Sequence, residues 1–80
     1  RKLVEVSIEY CTQWGYLDKA LSLRDSIENE FGIKSELIQG TGGVFEVKVN
    51  NHYIFSKKEE NRFPEENEIE ALIAGIESVT

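Results

Sequence analysis

Residues 4–10 read VEVSIEY, an alternation of apolar and polar side chains that is typical of a β-strand with one buried face. The apolar positions of this alternation are Val4, Val6, Ile8 and Tyr10. The chain's single cysteine, Cys11, follows directly. This stretch therefore predicts a strand that ends at Tyr10 and brings a thiol to its carboxyl end.

The next segments predict a helix, a strand and a turn. Apolar residues recur at helical spacing from Gly15 to Phe31, and Gly32 follows where a left-handed residue would end the helix. A second strand is expected over Ile33–Gln39, parallel to the first because the helix makes a long crossover between them. The glycine-rich run at residues 40–43 must then turn.

The second half of the chain predicts a hairpin followed by a helix. Val44–Val49 and His52–Ser56 are expected to be antiparallel strands joined by a tight turn at Asn50 and Asn51. Residues 57–62 are polar and connect to Pro64, which is expected in the first turn of a second helix. The predicted fold class is α/β (α+β), with the order β-α-β-β-β-α, a four-stranded mixed sheet and two helices. This order is the minimal thioredoxin-like arrangement.

Composition and charge limit the class of protein. A chain of 80 residues predicts one domain over 1–80, and a net charge of −6 disfavours nucleic acid as a partner. No apolar stretch approaches the ~20 residues of a membrane span, so we expect a soluble, cytoplasmic protein that does not bind a membrane. With one cysteine and one histidine, the chain has neither an internal disulfide nor a Cys/His cluster for a metal.

The position of Cys11 between a strand and a helix allows two interpretations. Unpaired N–H groups and the dipole at a helix N-terminus favour a thiolate, which would make Cys11 a nucleophile toward disulfides or peroxides. The alternative is a buried structural cysteine, a common fate of a lone Cys.

Several motifs together resemble the selenoprotein W family and its bacterial Rdx-type relatives. The segments that carry this resemblance are YCTQWGY at 10–16, GTGGVFEV at 40–47, SKK at 56–58 and FP at 63–64. The resemblance implies a thioredoxin-like fold and thiol or selenol redox chemistry, with glutathione or protein thiols as partners and no bound cofactor. It also implies that Cys11 and position 14 form the redox centre. The residues that we expect to contact substrate are Thr12, Gln13, Thr41, Gly42, Gly43 and Phe45.

Position 14 departs from the family pattern, because Trp14 stands where the family has a second Cys or a selenocysteine. Indole cannot resolve a mixed disulfide, so this chain is limited to monothiol chemistry in which an external thiol such as glutathione resolves the adduct. The Trp codon UGG differs by one base from UGA, the selenocysteine codon, and also from the Cys codons UGU and UGC. We hypothesise that the natural residue is selenocysteine, with cysteine as the alternative. The structural alternative is that Trp14 packs against the first helix and the glycine-rich turn.

A second function class is a binding module that keeps the fold and has lost the redox cycle. In this interpretation Trp14, Tyr16 and Phe63 form an exposed aromatic patch for a protein partner. His52 opens a strand after a turn, and we expect it to be a surface residue and not a catalytic base.

Overall fold

The structure is a computed structural model that describes residues 4–79. The elements are β1 (Val6–Cys11), α1 (Tyr16–Phe31), β2 (Glu36–Gly40), β3 (Phe45–Val49), β4 (His52–Ser56), α2 (Lys57–Glu60) and α3 (Glu68–Val79). The α+β class and the mixed four-stranded sheet are confirmed. Residues 4–79 contain three helices, so the expectation of two was wrong.

The strand order β2-β1-β3-β4 puts β1 in the interior of the sheet. β1 runs parallel to β2 and antiparallel to β3, which in turn forms an antiparallel hairpin with β4. The register aligns Cys11 with Gly40 on one side of β1 and Tyr10 with Phe45 on the other. The carboxyl end of β1 is therefore flanked by the end of β2 and the start of β3.

The hairpin turn has the geometry predicted from its two asparagines. Asn50 and Asn51 have φ values of 52° and 70°, the left-handed region that asparagine tolerates better than most residues. Asn50 also accepts from the Glu5 backbone N–H through Oδ1 at 2.9 Å and donates its own N–H to the Glu5 carbonyl at 2.8 Å. His52 is exposed beside this turn, at the opposite end of the sheet from Cys11.

One hydrophobic core joins α1 and α3 to the sheet. Ala20 and Ile27 of α1 and Ile69 and Ile73 of α3 are nearly inaccessible to solvent. They pack with the inward-facing residues of the strands, among which Ile8, Phe45 and Val47 are also fully buried. Burial of each of the Ile, Val and Phe side chains stabilises the fold by about 1.5–3 kcal/mol before the entropy cost.

The additional helix, α2, replaces the loop expected after Ser56. The Ser56 hydroxyl accepts a hydrogen bond from the Glu59 N–H at 3.4 Å, and Asn61 ends the turn with a φ of 59°. A serine three residues before a glutamate is a helix start signal. Its presence here explains why a polar segment with no apolar stripe is helical.

The last helix begins at Glu68 and not at Pro64, which corrects the predicted boundary. Asn67 has a φ of 68°, a left-handed conformation that prevents a continuous helix from Pro64 onward. The Glu68 side chain accepts from the Glu65 N–H at 2.9 Å and thereby supports the new helix start.

Smaller boundaries also differ from the prediction. β1 occupies Val6–Cys11 instead of residues 4–10, and α1 begins at Tyr16. β2 occupies Glu36–Gly40 instead of beginning at Ile33, and β3 begins one residue later than predicted, at Phe45. The predicted end of α1 is confirmed, because Gly32 has a φ of 70° and donates its N–H to the Glu28 carbonyl at 2.8 Å. None of the helices within residues 4–79 combines the length and apolar character needed to cross a bilayer.

Candidate functional site

Cys11 is the last residue of β1 and is tied to the glycine-rich turn by the backbone. Its N–H donates to the Val44 carbonyl oxygen at 2.8 Å, and its Cα partner across the parallel pair is Gly40. The hydrogen bond continues the pairing of β1 beyond Tyr10, which is the physical reason that the strand includes the cysteine. The structure thus places both ends of the turn next to Cys11.

The close packing at Gly40 explains why the turn begins with glycine. A Cβ at this position would lie 2.7 Å from Val44 Cγ2 and 2.9 Å from Glu9 Oε2. Both distances are shorter than normal van der Waals contact. The absence of a side chain allows β2 to end directly beside Cys11.

A short exposed segment separates the cysteine from α1. Thr12, Gln13, Trp14 and Gly15 are all exposed, and the Tyr16 N–H donates to the Gln13 carbonyl at 3.3 Å. Trp14 and Gly15 both have left-handed backbones, with φ values of 56° and 77°. A left-handed conformation is unusual for a residue as bulky as Trp.

The Cys11 side chain is only 3% exposed and belongs to the hydrophobic core cluster. The expectation placed it just before the helix, whereas residues 12–15 intervene before α1 begins. In this conformation the Cys11 sulfur therefore offers little surface to a disulfide or an alkylating reagent. The two interpretations of Cys11, reactive nucleophile and structural cysteine, both remain compatible with this burial.

Trp14 does not pack into the protein. Its side chain is 76% exposed, and its ring centroid lies 6.3 Å from that of Tyr16. The structural alternative, in which Trp14 packs against the first helix and the glycine-rich turn, is wrong. The left-handed backbone at this position coincides with a ring that points away from the core.

The proposed aromatic patch exists as a column of rings that runs from the surface to the core. We call this the aromatic column; its members are Trp14, Tyr16, Phe63 and Phe45. Tyr16 and Phe63 meet edge to face with centroids 4.9 Å apart, and Phe63 and Phe45 do so at 5.4 Å. Because Tyr16 is buried and Phe63 half-buried, the expectation of three exposed rings was wrong, and Trp14 alone is widely exposed.

Two lysines that the sequence reasoning missed pack against the aromatic column. Lys19 Nζ lies 4.6 Å from the Phe63 ring centroid, and Lys57 Nζ lies 5.6 Å from the same ring and 5.8 Å from that of Tyr16. Contacts of this kind between an ammonium group and a ring face are attractive. The SKK motif at 56–58, one of the segments that carry the family resemblance, contains Lys57 and is the sequence signal for it.

An ion pair holds Phe63 in position. Arg62 donates two hydrogen bonds to the Glu68 carboxylate, from Nη1 to Oε1 at 2.8 Å and from Nη2 to Oε2 at 2.9 Å. These bonds, together with the one from the Glu65 N–H, lower the pKa of Glu68 to about 2 from its ordinary value of 4.5. The same pair raises the pKa of Arg62 above its ordinary value. The segment between the two residues, which contains Phe63, is thereby fixed at both ends.

The residues predicted to contact substrate do not share one environment. Thr12, Gln13, Thr41 and Gly42 are exposed and Gly43 is partly exposed, which places them on the surface around Cys11. Phe45 is 1% exposed and its ring contacts that of Phe63 in the core. Phe45 therefore packs beneath Phe63 and does not face the solvent. In the part of the chain that the structure describes, no three His, Cys, Asp or Glu side chains are arranged to hold a metal.

A mixed four-stranded sheet with a lone cysteine at the end of its central strand, beside a glycine-rich turn, defines a thioredoxin-like α+β domain. The sequence model of the Rdx family matches residues 5–75, and the chain belongs to this family. The family resemblance in the sequence is therefore confirmed.

Known proteins agree with this assignment. A selenoprotein W-related protein from Vibrio cholerae superimposes with a TM-score of 0.86 and 26% identity, covering 94% of this chain and 98% of its own. A protein of Bordetella parapertussis has a TM-score of 0.74 and 30% identity, covering 80% of this chain and 85% of its own.

Among curated proteins, migration and invasion enhancer 1 is similar to this chain in two mammals. The Mus musculus protein is 34% identical over 67 residues, covering 82% of this chain, and the Bos taurus protein is 35% identical over 71 residues, covering 86%. The aligned parts cover 58% and 62% of the two relatives.

Proposed function

We propose that this protein is a thiol redox protein of the selenoprotein W type in which Cys11 is the nucleophile. The observation that carries the proposal is the position of Cys11 at the end of the central strand, between the exposed segment 12–15 and the glycine-rich turn. The only thiol of the chain lies where two exposed backbone segments meet, residues 12–15 and the glycine-rich turn. Membership of the Rdx family supports the same assignment.

The proposed reaction is thiol–disulfide exchange with glutathione or with a protein disulfide. The Cys11 thiolate attacks one sulfur of a disulfide, forms a mixed disulfide with it and releases the other sulfur as a thiolate. Among the residues of this chain no second thiol can resolve that adduct. When the disulfide belongs to a protein, a first glutathione thiolate attacks the Cys11 sulfur of the mixed disulfide and releases the protein thiolate. A second glutathione thiolate attacks the resulting Cys11–glutathione disulfide, regenerates the Cys11 thiolate and leaves as glutathione disulfide.

Position 14 is the proposed site of the residue that would resolve the adduct within the chain. The exposed Trp14 makes no buried contact that the fold requires, so a smaller side chain can replace it without loss of core packing. We propose that a selenocysteine or a cysteine stands there in the redox-competent protein. The codon for residue 14 in the native gene tests this directly, because UGA or a Cys codon supports it and UGG opposes it.

The proposed setting is the cytoplasm, where glutathione keeps thiols reduced. A protein with one free cysteine and no disulfide suits such a compartment. The proposed partners are glutathione and protein thiols.

Mass spectrometry after incubation with oxidised glutathione tests the redox proposal. We expect the chain to gain one glutathionyl group on Cys11 and to lose it when reduced glutathione is added. The Trp14→Cys variant should instead lose two hydrogens and form an internal disulfide with Cys11, since attack within the chain outcompetes an external thiol. Trp14→Ser is the matched control and should behave like the starting chain, and Cys11→Ala should not react. Absence of any adduct on the folded chain would contradict the proposal.

A second candidate function, a non-catalytic binding module, is favoured by the exposure of Trp14. A ring that is 76% exposed is costly to leave in water and is the kind of residue that anchors protein interfaces. Under this alternative, Trp14→Ala would abolish binding of the partner, whereas Cys11→Ala would leave it unchanged. Under the redox proposal, capture of a partner through a mixed disulfide would depend on Cys11.

A further inference from the structure

A cavity of about 460 Å³ lies between α1 and the segment from Phe63 to Glu70. Its apolar lining comes from Leu23, Phe63, Pro64 and Ile69, with Phe45 beneath. Cys11 does not line this cavity. The cavity is therefore separate from the thiol, although Phe63 also belongs to the aromatic column.

A buried carboxylate lies in the wall of this cavity without a cationic partner. Glu70 is 8% exposed, and its Oε2 accepts a hydrogen bond from the Ser26 hydroxyl at 2.5 Å. Among residues 4–79, no lysine, arginine or histidine forms an ion pair with Glu70. The carboxylate is therefore paired with one neutral hydroxyl and with no cation among the described residues.

The rim of the cavity adds to the negative charge. Asp18 and Glu66 line it, are exposed, and form no hydrogen bond or ion pair through their side chains within the described part of the chain. Glu65 also lines the rim. The one basic side chain of the lining is Lys19, whose ammonium group lies over the Phe63 ring instead of pairing with a carboxylate. Four carboxylates against one ammonium group leave the cavity strongly acidic.

We propose that this cavity binds an arginine side chain from a basic segment of a protein partner. The guanidinium group would pair with Glu70 and with the rim carboxylates, and the methylene stem would lie on Phe63 and Ile69. An arginine suits such a site better than a lysine, because its planar group both forks to carboxylates and stacks on an aromatic ring. The proposal does not depend on Cys11, so its test and the test of the redox function have independent outcomes.

The test is a titration of the protein with a capped tetrapeptide that contains one arginine between glycine and leucine. The amide chemical shifts of the protein report binding. The control peptide carries citrulline, which has nearly the same shape and no charge. We expect the arginine peptide to shift the amides around the cavity, including those of Ser26 and Ile69, at low millimolar concentration. The citrulline peptide should bind at least about fivefold more weakly, as the loss of a charge-assisted pair implies.

Variants of the protein locate the binding site. Glu70→Gln keeps an oxygen that can accept from Ser26 and removes the charge, so the fold should persist while affinity for the arginine peptide falls about tenfold. Asp18→Asn with Glu66→Gln should lower affinity about threefold to tenfold, as expected of two exposed pairs. Glu28→Gln with Glu36→Gln changes the net charge equally at exposed positions that do not line the cavity, and should leave affinity within about twofold.

Three outcomes would overturn the proposal. The first is the absence of any shift at about 10 mM peptide, which corresponds to an affinity too weak for recognition. The second is equal binding of the arginine and citrulline peptides. The third is an equal loss of affinity in the cavity double variant and in its charge-matched control, which would mean a general attraction to an acidic protein.

Discussion

The backbone N–H of Cys11 donates to the carbonyl oxygen of Val44 at 2.8 Å, so the only thiol is tied to the residue that follows the glycine-rich turn. Cys11 is nearly inaccessible to solvent. Residues 12–15, which follow it, and Thr41 and Gly42 of the turn are exposed. The hydrogen bond and the pairing of Cys11 with Gly40 hold the cysteine beside both ends of the turn.

Replacing a glycine by alanine should lower the free energy of unfolding in the turn and raise it in α3. Gly42 has a φ of 76° with open space around it, so Gly42→Ala introduces conformational strain without a clash and should lower the free energy of unfolding by about 1 kcal/mol. Gly75 lies within α3, also with open space at its Cβ, and Gly75→Ala should raise stability by about 0.5–1 kcal/mol. Urea denaturation of the two variants measures both effects. Equal effects of the two substitutions would contradict the left-handed turn.

The Ser26 hydroxyl should contribute to stability through Glu70. Ser26→Ala removes the one side-chain donor that Glu70 has within residues 4–79 and should destabilise the protein by about 1–2 kcal/mol. Ser22→Ala is the matched control, because Ser22 is exposed one turn earlier on α1 and makes no side-chain hydrogen bond among the described residues. Thermal unfolding measures the stability of both variants. A loss of stability in Ser22→Ala as large as that in Ser26→Ala would argue against the Ser26–Glu70 bond.

The Arg62–Glu68 pair should make stability depend on pH in the acid range. The pKa of Glu68 is about 2 in the folded state against an ordinary value of 4.5, so the folded state binds the proton more weakly than the unfolded state. The stabilisation is therefore fully present above pH 4.5 and is lost as the pH falls toward about 2. The pair is partly exposed, and the effect should be modest. Glu68→Gln should flatten the pH dependence of urea unfolding between these values, whereas Glu59→Gln should not; equal curves for both would contradict the assignment.

The fluorescence of Trp14 should report its exposure. Because Trp14 is the single tryptophan and is 76% exposed, the folded protein should emit at a wavelength close to that of the urea-unfolded chain. Acrylamide should quench the folded and the unfolded forms to similar extents. Blue-shifted emission that is protected from acrylamide would mean that the ring is packed.

The periodic parts of the fold were predictable from the sequence. The alternation in β1, the helical stripe ended by Gly32 and the paired asparagines of the hairpin each carry a local signal that agrees with the tertiary structure. α2 and the start of α3 were not predicted correctly, because they depend on capping contacts at Ser56 and Glu68 and on the left-handed Asn67 instead of on apolar spacing.

The candidate site was predictable only in part. The approach of the turn to Cys11 follows from the order of the strands, and the structure places them side by side. The burial of Cys11 and Tyr16 and the exposure of Trp14 could not be read from residue type, since the backbone angles of residues 14 and 15 decide where these side chains point. The cavity wall around Glu70 joins residues 44 positions apart, for which the sequence has no local signal.

The rate at which Cys11 reacts with oxidised glutathione, compared between the folded and the urea-unfolded chain at neutral pH, tests the redox proposal most directly. Cys11 is the only thiol, so the rate refers to one sulfur without ambiguity. The proposal predicts that the folded chain reacts at least as fast as the unfolded chain, because the fold must present and activate the thiolate. A rate for the folded chain that is lower than the rate for the unfolded chain by about tenfold, or by more, would mean that Cys11 is a structural core residue.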